Sequence, residues 1–556
     1  MPDCFPAALF LPGDAFDTDS RQMMGRRVAG RQFACAMASQ LCAGEELTAI
    51  TIGADDPAGL QHLLQPYLPA GAGLRLMPGF DLHRLAEVGA LHLPDPGLGH
   101  WSLLRGATKA HAFSLTGVIH TLCSERVLNA LEDLLTAPLH PWDALVCTSQ
   151  AGRAVVEAAQ DQALERLRRR FASPHLQRPE GPQLPVIPLA IDPTPFRGDG
   201  DRQQRRRRAR AELGLPMEAF VACFVGRLSF HSKAHPLVLY RTLAALARER
   251  PGVVLLECGH LFNASIAAAF DELGAAFPEL SVKRLGGLQP ATEASKVAAL
   301  AAADVFVSPA DNLQETFGLS LLEAMAAELP LVVSDWNGYR DLVVDGETGF
   351  LIPTADPLCA PHRPGALDAL EINYRLGFVD YDSMIALRSL SVVVEEQPLL
   401  GALRTLRHDP GLAQRMGVAA RQRLERLYSW RAVASQYRDL WTELARLRQR
   451  EALRPQAPLS PPVAAYADLF AAYPSRPFSH NQAIRSEGAT PPALLRSAMT
   501  AAFMQSLSHQ RLDILIEHLQ HHHDCNLSDL EALGVPPADA PALLAALIKL
   551  GVLELP

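Results

Sequence analysis

The chain has 556 residues, 48% of them apolar, and a formal net charge of −9, a length that fills roughly three domains and buries more than one core. The acidic balance excludes general nucleic-acid binding, which depends on a cationic surface that displaces counterions. No apolar run approaches the ~18 residues of a membrane span, and the amino terminus lacks the cationic region and long apolar core of a secretory signal, so a cytoplasmic protein is expected. The nine cysteines are odd in number and scattered through mostly apolar segments, which reads as reduced core residues rather than a disulfide framework.

In chain order, apolar strands alternate with helical segments from residue 5 to about 195 and again from about 215 to 353, the pattern of two doubly wound parallel α/β sheets. The first strand, Ala8 to Leu11, leads into a loop and a helix containing Gly25, where the missing side chain admits close backbone approach. A second strand, Phe113 to Ile119, delivers His120 to a loop, and Trp142–Ser149 and Pro185–Asp192 follow. Two stretches are strongly basic, Leu164–Arg170 and Asp201–Leu215. Basic helices can rest on an anionic membrane face; with an acidic total, solvated helix faces are the favoured reading.

In the second half, the buried strand Phe220–Val225 ends at Gly226 and is followed by Arg227 and Lys233, two cations six positions apart. Further on, the strand Asp304–Ser308 runs into the loop 309–316 and a helix expected from about Phe317 to Glu328. Glu315 in that loop and Glu323, placed two turns inside the helix, are eight positions apart, a backbone separation on the order of 10 Å that reaches two ends of one nucleotide sugar. The N–H groups of Thr316, Phe317, Gly318 and Leu319 at the helix start suit a diphosphate. Ligands of parallel sheets bind where such loops converge, at the carboxyl ends of strands.

The Glu315/Glu323 spacing resembles the E-x7-E signature of retaining glycosyltransferases of the GT-B fold, family 4 (glycosyl transferases group 1), and the Arg227/Lys233 pair, the Gly25 loop, the His120 loop and the segments around Ser149 and Asp192 resemble that family in the same order. The resemblance implies two Rossmann-like domains facing a cleft, here 1–195 on the acceptor side and 196–400 on the donor side. It implies transfer of a sugar from a nucleotide-diphosphate sugar to a hydroxyl acceptor, with no cofactor and no metal, in cell-surface glycan or glycoconjugate biosynthesis. Arg227 and Lys233 would then hold the diphosphate together with the 316–319 amides and the backbone of Gly25 and Gly226; Glu315 would bind sugar hydroxyls, Glu323 the ribose, and His120 the transferred sugar. The acceptor could be a glycan, a lipid-linked molecule or a protein. An epimerase on the same fold and a non-catalytic nucleotide-sugar binder are the alternatives.

Three segments depart from the family pattern. Residues 356–391 insert a stretch carrying Tyr374, Phe378 and Tyr381, and Trp336–Asp341 stands where relatives carry Gly-Gly or a glutamate. After helices over 401–450, which resemble the family's return to its first domain, a proline-rich linker, Arg454–Pro462, precedes an extra helical domain at 463–556. Its rhythm resembles a winged helix, but Lys549 is alone on its second helix, so a protein-interaction module is expected rather than a DNA reader. His518, His521, His522, His523 and Cys525 lack a second ligand cluster and are not assigned a metal.

Overall fold

A computed structural model describes residues 5–13, 25–51, 57–77, 79–106, 109–198, 200–359, 368–452, 466–475, 484–485, 524–535, 540–549 and 553. The chain divides into two compact units, Met1–Val463 and Ala464–Pro556.

The first unit holds two six-stranded sheets. One comprises β1 (Ala8–Phe10), β2 (Glu46–Ile50), β3 (Gly73–Met77), β4 (Ala90–Leu93), β5 (Ser114–Val118) and β6 (Ala144–Val146), ordered β3-β2-β1-β4-β5-β6. The other comprises β7 (Phe220–Leu228), β8 (Val253–Leu261), β9 (Ser281–Gly287), β10 (Val305–Ser308), β11 (Leu331–Ser334) and β12 (Gly349–Ile352), ordered β12-β11-β10-β7-β8-β9. Every pairing within both sheets is parallel. Helices cover both faces, so the central strands are apolar runs without alternation: every residue of β4, β5, β10 and β11 is buried. The strand order reverses between β1 and β4 and between β7 and β10, and at such a point the loops part to leave a crevice. The two doubly wound domains expected from the alternation are therefore present.

At the opposite, amino-terminal ends of the strands each sheet is fastened by an ion pair on a buried arginine. Arg105 reaches Asp143 through two bonds of 2.6 and 2.8 Å, and Arg210 reaches Asp304 at 2.7 Å. This corrects the reading of 201–215 as a solvated or membrane-facing basic helix for one face only, since Arg207 and Arg208 on the other stay exposed. The helix Arg202–Glu212 turns Arg202, Arg206 and Arg210 inward, where they bond the carbonyls of Ala301, Ala303 and Ala302 and the carboxylate of Asp304. Free carbonyls before a strand are concentrated negative charge, and arginine's fork of donors matches several at once. The other basic stretch lies at the end of the helix Gln150–Arg170, where Arg166 pairs with Glu132 and Arg169 with Glu165 on the surface.

The helix Trp430–Ala452 packs on the first sheet: Val433, Tyr437, Trp441 and Leu444 enter its core, and the Trp441 indole donates to Thr116 Oγ1 at 3.2 Å. Cys35, Cys147, Cys223 and Cys258 are buried, whereas Cys42 and Cys359 are exposed. No helix among the described residues is long and apolar enough to cross a membrane.

In the second unit, helices Leu527–Ala532 and Ala540–Lys549 pack around Leu530, Leu543, Leu544 and Leu547. An antiparallel ladder of Ile484–Arg485 with Asp524–Cys525 adds a strand pair that a purely helical reading lacks. The linker 454–462 and the histidines at 518 and 521–523 lie outside the described residues.

Candidate active site

The carboxyl ends of β7 and β10, neighbours at the switch point of the second sheet, carry the site. β7 closes on Gly226-Arg227-Leu228, and the loop after it folds back so that Lys233 crosses the strand end. Gly226 has φ +152°, and a Cβ on it would come within 3.3 Å of Lys233 Cε, so glycine leaves room for the lysine. The two loops are stitched together: Asp311 accepts the His235 backbone N–H at 3.1 Å, and Asn312 Nδ2 donates to the His231 carbonyl at 2.8 Å.

This stitching brings Lys233 onto Glu315 in an ion pair in which both side chains are nearly covered, and Tyr339 adds a bond to the same carboxylate at 3.3 Å. Burial works against charge on both partners, but each outweighs it for the other: the Glu315 carboxyl lies below, and the Lys233 ammonium above, its ordinary range. Arg227 donates to the Gln314 side-chain oxygen at 2.7 Å and to the Ser232 carbonyl at 3.2 Å. Both partners are neutral, so its charge stays available to an anion; burial lowers its pKa while Glu315 opposes the shift, and a guanidinium remains protonated throughout.

The helix after β10 runs from Leu319 to Ala326 rather than from Phe317 to Glu328. Gly318 at its start has φ +109°, and a Cβ there would lie 2.5 Å from the Tyr339 ring, so the chain makes a left-handed turn open to glycine while the Phe317 ring is driven into the core. Glu323 is thereby one turn inside the helix, not two. Of the four amides expected to point outward, that of Phe317 helps to hold down the Glu315 carboxyl. The Thr316 carbonyl accepts from Ser149 Oγ at 3.0 Å, a link across the two sheets, and a second link joins the Gln150 N–H to Asp341 at 2.6 Å.

Glu323 pairs with Lys296 at 2.5 Å, and Lys296 also reaches Glu293 at 2.8 Å. Burial pushes the Glu323 carboxyl up, with Lys296 pulling it down. Neither Lys296, from the helix Glu293–Ala302, nor Gln314 was singled out in the sequence. In the segment that departs from the family, Asn337 takes φ +52°, a conformation asparagine tolerates, and its Nδ2 bonds the Glu315 carbonyl. His120 follows β5, half-buried, near the core residue His92, whose pKa is depressed to about 3 by burial first and by the neighbouring His120 imidazole second. Gly25 opens the helix Gly25–Ser39, and the loop 14–24 before it lies outside the described residues.

Burial raises the Asp311 pKa from 3.8 to about 7, against the backbone donor of His235. The native state then holds a proton that the unfolded chain has lost between these values, so stability falls as pH rises through about 4 to 7. Asp311→Asn keeps an acceptor for His235 and is expected to flatten this slope, gaining on the parent in urea midpoint at pH 8.5 relative to pH 5. An unchanged difference between the two pH values would contradict the burial of a titrating Asp311.

Residues 219–359 match the family described as Glycosyl transferases group 1. The chain is 36% identical over 200 residues to the D-inositol 3-phosphate glycosyltransferase of Corynebacterium efficiens, covering 35% of this chain and 45% of that one. It is 28% identical over 240 residues to the alpha-maltose-1-phosphate synthase of Mycolicibacterium smegmatis, covering 42% and 51%. The chain thus spans about half the length of these curated relatives. Among solved structures it resembles HepE of Anabaena, crystallised with UDP, with a TM-score of 0.51 at 16% identity over 79% of this chain and 100% of that one. Sucrose-phosphate synthase of Thermosynechococcus elongatus gives 0.50 at 20% identity over 80% and 100%. The fold is GT-B, and over residues 219–359 the chain carries a domain of the glycosyl transferases group 1 family.

Proposed function

We propose that the protein is a retaining, metal-independent glycosyltransferase that moves a sugar from a nucleoside-diphosphate sugar to a hydroxyl acceptor in the cytoplasm. The observation that carries this reading is the convergence of Arg227, Lys233 and Glu315 at the β7/β10 switch point. Departure of a nucleoside diphosphate builds negative charge, and fixed Arg and Lys donors in a water-poor site stabilise it. In this reading Arg227, Lys233 and the amides of Thr316, Gly318 and Leu319 take the diphosphate, while that of Phe317 stays on Glu315; Gly25 and Gly226 let backbone approach it, Glu323 takes the ribose, and Glu315 and His120 contact the sugar. Glu315 is already tied to Lys233 and Tyr339, which suits a carboxylate that orients hydroxyls better than a free nucleophile. Attack from the face the leaving group departs then accounts for retention.

The names of the curated relatives, one citing D-inositol 3-phosphate, favour testing a phosphorylated polyol first, beside glycan, lipid and protein acceptors. Incubation with UDP-, GDP- and ADP-sugars in EDTA, followed by NMR of the product, is expected to give transfer with the donor's anomeric configuration. An inverted product, or activity restored only by manganese, would contradict the mechanism; conversion of donor stereochemistry without acceptor would indicate the epimerase.

The second unit contributes none of these donor residues. Ending the chain at Leu453 is expected to preserve nucleotide binding while transfer to the native acceptor falls. Loss of nucleotide binding in a truncated protein that stays folded would place the second unit in the catalytic core.

A further inference from the structure

The segment 356–391 has no counterpart in the family pattern, and its described part links three things that the donor reading treats separately. It folds into two helices, Ala369–Arg375 and Tyr381–Ser389, each started by an aspartate cap, Asp368 and Asp380. Each helix gives a tyrosine to the amino-terminal domain. The Tyr374 hydroxyl accepts the backbone N–H of Glu125, the first residue of the helix Glu125–Thr136, at 3.1 Å. The Tyr381 hydroxyl lies 3.1 Å from Cys123 Sγ, three residues beyond His120, and accepts from Gln314 Nε2 at 3.1 Å.

Gln314 is where the two domains meet the cation. Its Oε1 accepts from Arg227, which has donors only, so that end of the amide is fixed as the oxygen. The Nε2 end must then donate, and Tyr381 is the acceptor it finds. A continuous hydrogen-bonded line therefore runs from Cys123 through Tyr381 and Gln314 to Arg227. Burial raises both the Tyr381 hydroxyl and the Cys123 thiol above their ordinary ranges, so the line is uncharged up to the guanidinium.

We infer that Tyr381 is a positioning residue for the donor diphosphate: it holds Gln314, and through it the aim of Arg227, while Tyr374 and Tyr381 lock the loop 120–125 of the acceptor-side domain onto the donor domain. A side chain that served the core alone would not need its hydroxyl at Gln314. The inference rests on the donor reading for Arg227, but the lock between the domains does not.

Two measurements separate the parts. In protein without nucleotide, Cys123 labelling by N-ethylmaleimide, mapped by mass spectrometry with the exposed Cys42 and Cys359 as internal references, is expected to quicken about tenfold in Tyr381→Ala as the thiol loses its cover. Unchanged labelling overturns the lock. Affinities for UDP, GDP and ADP and for their nucleosides are then compared in the parent and in Tyr381→Phe, which keeps the ring. Loss of one neutral hydrogen bond is expected to weaken the bound diphosphate roughly fivefold and leave the nucleoside unchanged. The double variant Arg227→Ala/Tyr381→Phe should bind no more weakly than Arg227→Ala alone, because the tyrosine acts through the arginine. Equal weakening of diphosphate and nucleoside, or full additivity with Arg227→Ala, overturns the positioning role. If the parent binds none of the diphosphates, the donor reading falls with the positioning role, and the labelling result alone decides the lock.

Discussion

Arg227→Ala and Lys233→Ala are each expected to slow sugar transfer by about two to three decades, roughly 2.7–4 kcal/mol of leaving-group stabilisation. The two should differ in stability. Among the described residues Arg227 bonds neutral oxygens, so its removal strands no bonded charge, and the urea midpoint should move little. Lys233 is the cation of a covered pair, and its removal leaves Glu315 covered without its counter-ion, on the Tyr339 hydroxyl and the Phe317 amide, a loss that costs on the order of 3–5 kcal/mol for a fully buried pair and less here because both side chains keep some exposure and two donors remain. Lys233→Ala/Glu315→Gln should recover much of that stability and none of the activity. A double variant lacking both cations that turns over near the parental rate would remove the diphosphate assignment.

Glu315→Gln and Glu323→Gln are expected to separate. Glu315 is held by Lys233, Tyr339 and the amide of Phe317, so its amide analogue loosens the whole loop and should depress turnover most. Glu323 is ion-paired with Lys296, which keeps Glu293 as a second partner after substitution. The local structure should survive, and the loss should fall on free nucleoside diphosphate, about tenfold or more for a hydrogen bond to a charged group. Titration calorimetry with the diphosphate reads this directly. A larger loss of affinity in Glu315→Gln than in Glu323→Gln would mean that the two roles are exchanged.

Much of this was legible in the chain because the local signals and the fold agree. Apolar runs such as Val305–Val307 and Leu331–Val333 announce strands covered on both faces, and Gly226-Arg227 directly after another such run, Phe220–Val225, announces a crevice. The missing parts depend on tertiary partners. Nothing near Lys296 marks it as the partner of Glu323, because the two meet only when their helices pack beside β10 and β7. The start of the helix at Leu319 was misread because helix propensity across Phe317 is ordinary, whereas burial of the Phe317 ring and the contact of Gly318 with Tyr339 decide the turn. The arginines at 202, 206 and 210 did carry a signal: a spacing of four places them on one helix face, which is the pattern of a face turned toward an acceptor-rich surface rather than an evenly solvated one. The tyrosines at 374 and 381 stand out in the sequence only as a departure from the family; their partners are not legible there, since Glu125 and Cys123 lie some 250 residues earlier in the chain and Gln314 67 residues earlier.

The central claim is that the β7/β10 crevice binds a nucleoside diphosphate through Arg227 and Lys233. The most direct test is titration of the purified chain with UDP, GDP and ADP, followed by thermal unfolding, alongside Arg227→Ala. The account predicts that at least one diphosphate binds, raises the unfolding temperature by an amount that grows with the logarithm of its concentration over Kd, and loses most of that affinity in the variant while its unliganded unfolding temperature stays close to the parent's. Binding of none of the three by the parent, or equal binding by Arg227→Ala, would contradict it.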